Sequence, residues 1–436
     1  MAGVAGALQA GVPALTFQIA LVFGTAVTVA SAVTARAGLF LDPAWVLVAV
    51  LYLIGPAGSL FSATQIAMPV LAAIALAFAP FVLAALLARP EARASLAYLT
   101  PLALLSVLAV ISLLWSPDPA YGTEKLSQWA FNGLLPAVFV AVLARASHRV
   151  SWRLVAFVAL FYALALLAFG ASTTLYPGRA TVFGANPIWA ARAANIGALV
   201  ALFGPLPRWL GVTFATVMIV AGLTTVSTGP TLGLLAGGLA GVVEALRCRG
   251  LQDRRAALAW AALGVAMGLI AVGSLAVGVD TGQRIIFGVV GTGNVVSRMA
   301  YLEAAGSLFL RAPLTGVGIG GFAATGLDLY PHNLLAEVAA ELGIVGVLVL
   351  AGWFIMAFRA AAGSPVLVAL LASAAVFTLF SGSLAGNSEF WIVSGLAIGA
   401  SRSRIAADAA ARSAAEAAGG GAPGERMDGQ RGESHA

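Results

Sequence analysis

Charge is what this sequence has least of. Only 9% of its residues are Asp, Glu, Lys or Arg, against about 25% in an ordinary soluble domain, so there are too few polar side chains to cover a water-facing surface. Cysteine is nearly missing: Cys248 stands alone, which excludes an internal disulfide and a thiolate metal cluster. Lysine is as rare, since 22 of the 23 basic residues are arginine. Blocks of Lys and Arg interleaved with exposed aromatics are lacking, so the net charge of +6 is not the footprint of a nucleic-acid binder. A soluble enzyme, a secreted disulfide scaffold and a disordered chain are all excluded. What fills the chain is apolar: 61% of its 436 residues are hydrophobic, with a mean hydropathy of +0.99. At about 20 residues per span, twelve or thirteen spans use most of that content. The expected fold is an all-α polytopic membrane protein.

Apolar runs fall at about 15–34, 44–62, 66–88, 97–115, 128–144, 154–170, 188–204, 210–226, 231–246, 257–277, 341–358, 365–381 and 387–401. Basic residues resist translocation, so Arg89 and Arg93, Arg145 to Arg153, and Arg247 to Arg255 mark cytoplasmic loops. Arg208, Arg359 and the tail from Arg402 agree with them. Residues 1–404 then form the transmembrane domain, and 405–436 a disordered cytoplasmic tail rich in Ala, Gly and charge. Met1 to Ala14 lacks the basic start of a cleavable signal. Thirteen spans place the amino terminus outside; twelve place it inside. The opposite face carries loops 116–127, 171–187 and 278–340, with a short turn at 382–388. Within the longest loop, Val295, Met299, Leu302, Ala305 and Phe309 recur at helical spacing, predicting an amphipathic helix over 294–311 that lies at the membrane surface.

Sixteen of the 22 arginines obey the topology rule. Arg179, Arg284, Arg298 and Arg311 lie on the far side, and Arg192 lies just inside a span that starts there. A guanidinium in or beside a bilayer is costly unless it pairs or serves a function. The acids Asp280, Glu303, Asp328, Glu337 and Glu341 are available as internal partners, particularly for Arg284 and Arg311. For Arg179, Arg192 and Arg298 the planar fork suits the oxygens of an anionic, phosphate-bearing ligand. Arg179 lies in a Gly/Pro/Asn-rich turn, 178–187, just ahead of a helix start.

His148 and His435 fall in charged cytoplasmic segments. His332 is alone on the far side, in Tyr330-Pro331-His332-Asn333, where a neutral imidazole can take a proton near neutral pH. Asn333 either orients that imidazole or caps the next helix. Gly316-Val317-Gly318-Ile319-Gly320-Gly321 superficially fits a dinucleotide fingerprint, but no strand–turn–helix surrounds it; its glycines are expected to permit tight turns and close packing. No metal-ligand spacing is present.

These residues resemble the O-antigen ligase and O-antigen polymerase family of bacterial envelope glycosyltransferases, over about Trp115 to Trp391. The resemblance is carried by Arg298-Met299-Ala300-Tyr301, by Pro313 through Phe322, by Pro331-His332-Asn333, and by Glu337 with Glu341-Leu342-Gly343-Ile344-Val345-Gly346. Ser112 through Pro119, and Gly178-Arg179 through Asn186-Pro187, support it. The chain departs from the family at Val226-Ser227-Thr228-Gly229-Pro230, where a serine-arginine-glycine turn is common; Arg192 is the expected replacement for the missing arginine.

The resemblance implies a GT-C-like fold with a large periplasmic loop, in the bacterial inner (cytoplasmic) membrane. It implies a glycan donor on undecaprenyl diphosphate and a metal-independent, inverting transfer without a cofactor. Arg179, Arg298 and Arg192 would hold the diphosphate and His332 would serve the attacking hydroxyl, with Tyr330, Asn333 and Glu337 in support. The acceptor would be lipid A–core or similar for a ligase, or another lipid-linked repeat for a polymerase. A polysaccharide-related transporter or flippase is the alternative from another class, in which the same charges line an anion path.

Overall fold

The computed structural model describes residues 42–54, 67–147, 150–172, 178–181, 186–249, 293–380 and 382–401. The runs at 15–34 and 257–277, the tail 405–436, and Asp280, Arg284, His148, Arg149 and His435 lie outside the described residues. Those described are helical apart from turns and an isolated bridge between Ala171 and Thr181. The helices are α1 (Ala44–Val48, running on as a π-helix over Ala49–Ile54), α2 (Ala67–Ala88), α3 (Pro90–Trp115), α4 (Pro119–Ser147), α5 (Trp152–Phe169) and α6 (Pro187–Phe203). They continue with α7 (Arg208–Thr224), α8 (Thr228–Arg249), α9 (Gly293–Arg311), α10 (Leu334–Ala361) and α11 (Pro365–Phe380), and residues 388–401 are helical as α12. Among them α3, α4, α5, α8 and α10 are long and apolar enough to cross a membrane.

Local chemistry sets where several helices begin. Asp118, Asn186 and Asn333 each place a side-chain oxygen on an early amide of α4, α6 and α10, at 3.0, 2.9 and 3.0 Å. Pro119 and Pro187 then occupy the first helical position, where no amide hydrogen is needed. The first of these starts corrects an expectation. Residues 119–127 are not loop but the opening turns of α4, which continues through a π-turn at Ala130–Leu134. A helix covers the expected stretch as α9 (Gly293–Arg311), but the face it buries is not the expected one, since Met299 and Leu302 are exposed. Its Arg298, Tyr301, Ala305 and Leu308 turn inward at helical spacing, while Val296, Met299 and Leu310 remain exposed.

Helix α6 is the centre of the bundle, buried along nearly its whole length and packed on α5, α7, α8 and α11. Helix α10 packs on α3, α9 and α11. The closest pairing, α8 on α11, follows from Gly233, Gly237 and Gly241 along one face. A Cβ on Gly233 would lie 2.2 Å from Phe377, and one on Gly237 2.5 Å from the Ala369 carbonyl. In lipid, where apolar surface gains nothing by leaving the solvent, such small-residue stripes let backbones approach.

The helices alternate between two ends. At one end Arg153 bonds the Pro205 carbonyl at 3.3 Å, the Gly363 amide bonds Glu244, and the Ser151 amide bonds Asp42 at 3.1 Å. Arg89, Arg145, Arg208, Arg247 and Arg359 all fall at helix termini of this end. The other end collects the close of α3, the starts of α4, α6, α8 and α10, and the close of α7 and α11.

Candidate functional site

At that second end, α10 is interrupted about two and a half turns from its start. Gly343 adopts φ 65°, ψ −164°, a region essentially reserved for glycine. The interruption frees backbone groups that the preceding loop takes up: the Ile344 amide bonds Pro313 O at 2.8 Å, and the Val317 and Gly318 amides bond Ala340 O and Glu341 O at 2.9 Å. Gly316, at φ 68°, lies so close that a Cβ would be 2.2 Å from the Glu341 carbonyl carbon. Irregular backbone beside a spanning helix is tolerable only when its polar groups are met in this way. From the other side the end of α3 grips the same loop. Trp115 Nε1 donates to Gly316 O at 3.2 Å, Ser116 Oγ to Ile319 O at 2.7 Å, and Ser112 Oγ accepts from the Ile319 amide at 3.0 Å. The glycine-rich segment is thus a packing device, as its sequence context suggested.

Beneath the loop lies a charged cluster that the sequence reading missed. Lys125, the chain's one lysine, is 1% exposed. Its Nζ sits 2.5 Å from Glu337 Oε1 and 2.7 Å from Glu341 Oε2. The remaining carboxylate oxygens hold backbone: Glu337 Oε2 accepts from the Leu384 amide at 2.7 Å, and Glu341 Oε1 from the Phe322 amide at 3.3 Å. Among the described residues neither acid pairs with an arginine, and Glu337 is turned into this cluster. Two signals pointed to it: a solitary lysine, and two acids four residues apart, hence on one helix face.

His332 stands at the loop's exit with φ 55°, a conformation that non-glycine residues rarely keep without a reason. Its Nε2 is 3.2 Å from Asp328 Oδ2. Its ring lies 4.5 Å from that of Tyr330 and 5.8 Å from that of Tyr301, centroid to centroid. About a quarter of the imidazole side chain is exposed. Burial raises the pKa of the Tyr330 phenol, and the nearby Glu337 and Asp328 carboxylates raise it further against the pull of Arg192 and Lys125. Tyr301 is raised by desolvation, then by the charge of Asp328 and a hydrogen bond to it. Asn333 does the plainer of its two expected jobs: it caps α10, and its Nδ2 donates to Leu379 O at 3.1 Å.

The arginines separate into three situations. Arg298 is half-buried on α9, one turn before Tyr301, and burial lowers its pKa from the ordinary guanidinium value. Among the described residues it has no ion-pair or hydrogen-bond partner. Arg179 donates from Nε to Thr225 O at 3.0 Å and from Nη2 to Ser227 Oγ at 2.6 Å, which places its guanidinium on the α7–α8 turn. That turn meets the His332 region through the end of α11, where Gly229 packs on Phe380 and Asn333 holds Leu379. Arg192 corrects an expectation. It is 1% exposed, paired with Glu389 at 3.2 Å and laid over the Phe377 ring at 5.0 Å. Its charge is met inside the bundle rather than offered at the mouth.

One end of the bundle therefore presents an imidazole–carboxylate pair between two phenols, an uncommitted guanidinium on the adjoining helix, and a second guanidinium on the neighbouring turn. Such a set can accept a proton and steady an anion. Compared with protein-family models and with curated proteins, the chain matches none.

Proposed function

We propose that the protein is an envelope glycosyltransferase of the O-antigen ligase type, which moves a glycan from undecaprenyl diphosphate to an acceptor hydroxyl at the periplasmic face of the inner membrane. The observation that carries this reading is His332: strained, bonded to Asp328, and stacked on Tyr301 of α9, the helix that one turn earlier carries Arg298, which has no partner among the described residues. Asp328 accepts the Nε2 proton of the neutral imidazole and leaves Nδ1 to take the proton of the acceptor hydroxyl. That oxygen attacks the anomeric carbon from the face opposite the diphosphate. The C–O bond to phosphate breaks, its electron pair leaves with undecaprenyl diphosphate, and the anomeric configuration inverts.

Arg298 meets the charge that grows on the leaving diphosphate, and Arg179 flanks it from the α7–α8 turn. Preorganised donors of this kind contribute about 10²–10³ in rate each, and a placed general base about 10²–10⁴. Arg179, rather than Arg192, supplies the guanidinium at Ser227, where the resembled family often carries an arginine. Trp115 and the exposed Leu114 and Leu314 offer the polyprenyl chain an apolar approach from the bilayer.

The test is transfer from a purified lipid-linked glycan in proteoliposomes. His332→Ala and Arg298→Ala are each expected to lose transfer by 10²-fold or more; retention by either protein rejects its assignment. Ligase and polymerase differ in acceptor, so a panel with lipid A–core and with lipid-linked repeats separates them. The charges buried among the helices, Arg192–Glu389 and Lys125–Glu337–Glu341, favour a transporter or flippase as the second reading. Flux of lipid-linked glycan across the same vesicles without turnover would replace the first reading with that one.

A further inference from the structure

Three segments that meet at the start of α10, just after His332, have no covalent reason to stay together: the start of α4, the glycine loop 316–322, and the turn 382–388. Each is bonded to one cluster. Lys125 comes from α4, Glu341 holds the Phe322 amide, and Glu337 holds the Leu384 amide. The two acids are one helical turn apart on α10, whose first residues follow His332 directly. All three side chains are 1–2% exposed. Two carboxylates that close, in so buried a site, repel one another and drift apart or take up protons unless a cation lies between them. Lys125 is that cation.

We infer that Lys125 is a positioning residue of this site: by neutralising Glu337 and Glu341 it keeps both carboxylates on the Phe322 and Leu384 amides, and so fixes the glycine loop and the 382–388 turn at the start of α10, just after His332. Lysine suits the task better than arginine, because a compact ammonium reaches two oxygens of different carboxylates where a planar fork would engage one face. Among the described residues the ammonium's ion-pair partners are these two carboxylates. Its influence on chemistry passes through the position of the loop that carries Phe322, whose ring meets Tyr301 edge-on at 6.3 Å, and Tyr301 in turn flanks His332.

The experiment compares the full-length wild type, Lys125→Met, and the neutral triple variant Lys125→Met/Glu337→Gln/Glu341→Gln, in which both carboxamides can still accept from the two amides. Amide hydrogen exchange is one readout and does not depend on the reaction. In Lys125→Met, segments 316–322 and 382–388 are expected to exchange roughly tenfold faster or more, as local opening becomes easier, and the triple variant to return towards wild type. Glycosyl transfer is the other readout and rests on the function proposed above. Lys125→Met should lose on the order of 10² in kcat from misplaced groups with KM little changed, and the triple variant should regain most of it.

Unchanged exchange in Lys125→Met overturns the inference. So does a triple variant with wild-type exchange and no transfer, because one of the three charges would then act on substrate. If Lys125→Met does not fold, the triple variant decides: folded and active supports charge compensation, unfolded or inactive refutes it. A wild type that transfers nothing while exchange follows the expected pattern removes the glycosyltransferase reading and leaves the positioning role standing.

Discussion

His332 holds φ 55°, a backbone state that costs an L residue about 1–2 kcal/mol. Replacing it with glycine removes strain and imidazole together. His332→Gly should therefore lose transfer by about 10²–10⁴ while its thermal midpoint in detergent stays level or rises; a midpoint that falls with activity would mark the residue as structural. Asp328→Asn probes the partner. An amide can still orient the ring but cannot stabilise imidazolium, so kcat should drop by about 10–100-fold with KM near wild type, and Asp328→Glu should recover part of it. Steady-state kinetics on one lipid-linked donor decides both points. At this scale the sequence was readable where interactions are local. Tyr330-Pro331-His332-Asn333 announces a capped helix with a histidine at its mouth, and both features are present. Arg192 and Lys125 were opaque because their partners, Glu389 and Glu341, lie 197 and 216 residues away. No spacing rule reaches that far.

At the level of elements, the break in α10 is what lets the glycine loop enter the bundle. Alanine at Gly343 meets two obstacles at once: a backbone region closed to it, and Leu314 O at 2.4 Å from the new Cβ. Gly343→Ala should cost about 3 kcal/mol or more and loosen 312–322. Gly352→Ala in the same helix, where a Cβ meets nothing within 4 Å, should gain up to about 1 kcal/mol. Thermal unfolding of the two variants side by side tests whether the break, rather than helix glycine in general, carries the cost. The opening of α4 shows how an element can be misread. Asp118 through Lys125 is polar enough to suggest a loop, yet Asp118 and Pro119 are a helix-start pair, and Lys125 enters the interior because two carboxylates wait there. Polarity read along a sequence cannot distinguish a solvated charge from a neutralised one.

Across the whole molecule, the arginine-rich helix ends and the His332 end are opposite poles of one bundle, and the proposed reaction requires them on opposite sides of a membrane. The chain carries its own probe of this. Cys248, its single cysteine, is exposed on the last turn of α8 at the arginine pole. Ala324 is exposed in the glycine loop's closing turn at the other pole. In intact cells, a membrane-impermeant maleimide added outside should leave Cys248 unmodified and label Ala324→Cys in a Cys248→Ser background; on inside-out vesicles the pattern should reverse. The retention of arginine on the cytoplasmic side makes this orientation the expected one. Its consequence is chemical as well as topological, because in the proposed reaction a donor carried on a lipid diphosphate would reach Arg298 and His332 only from the leaflet they face. Labelling of both sites from one side would break the bundle's two-pole geometry, and labelling in the reversed sense would put the imidazole in the cytoplasm, away from any periplasmic acceptor.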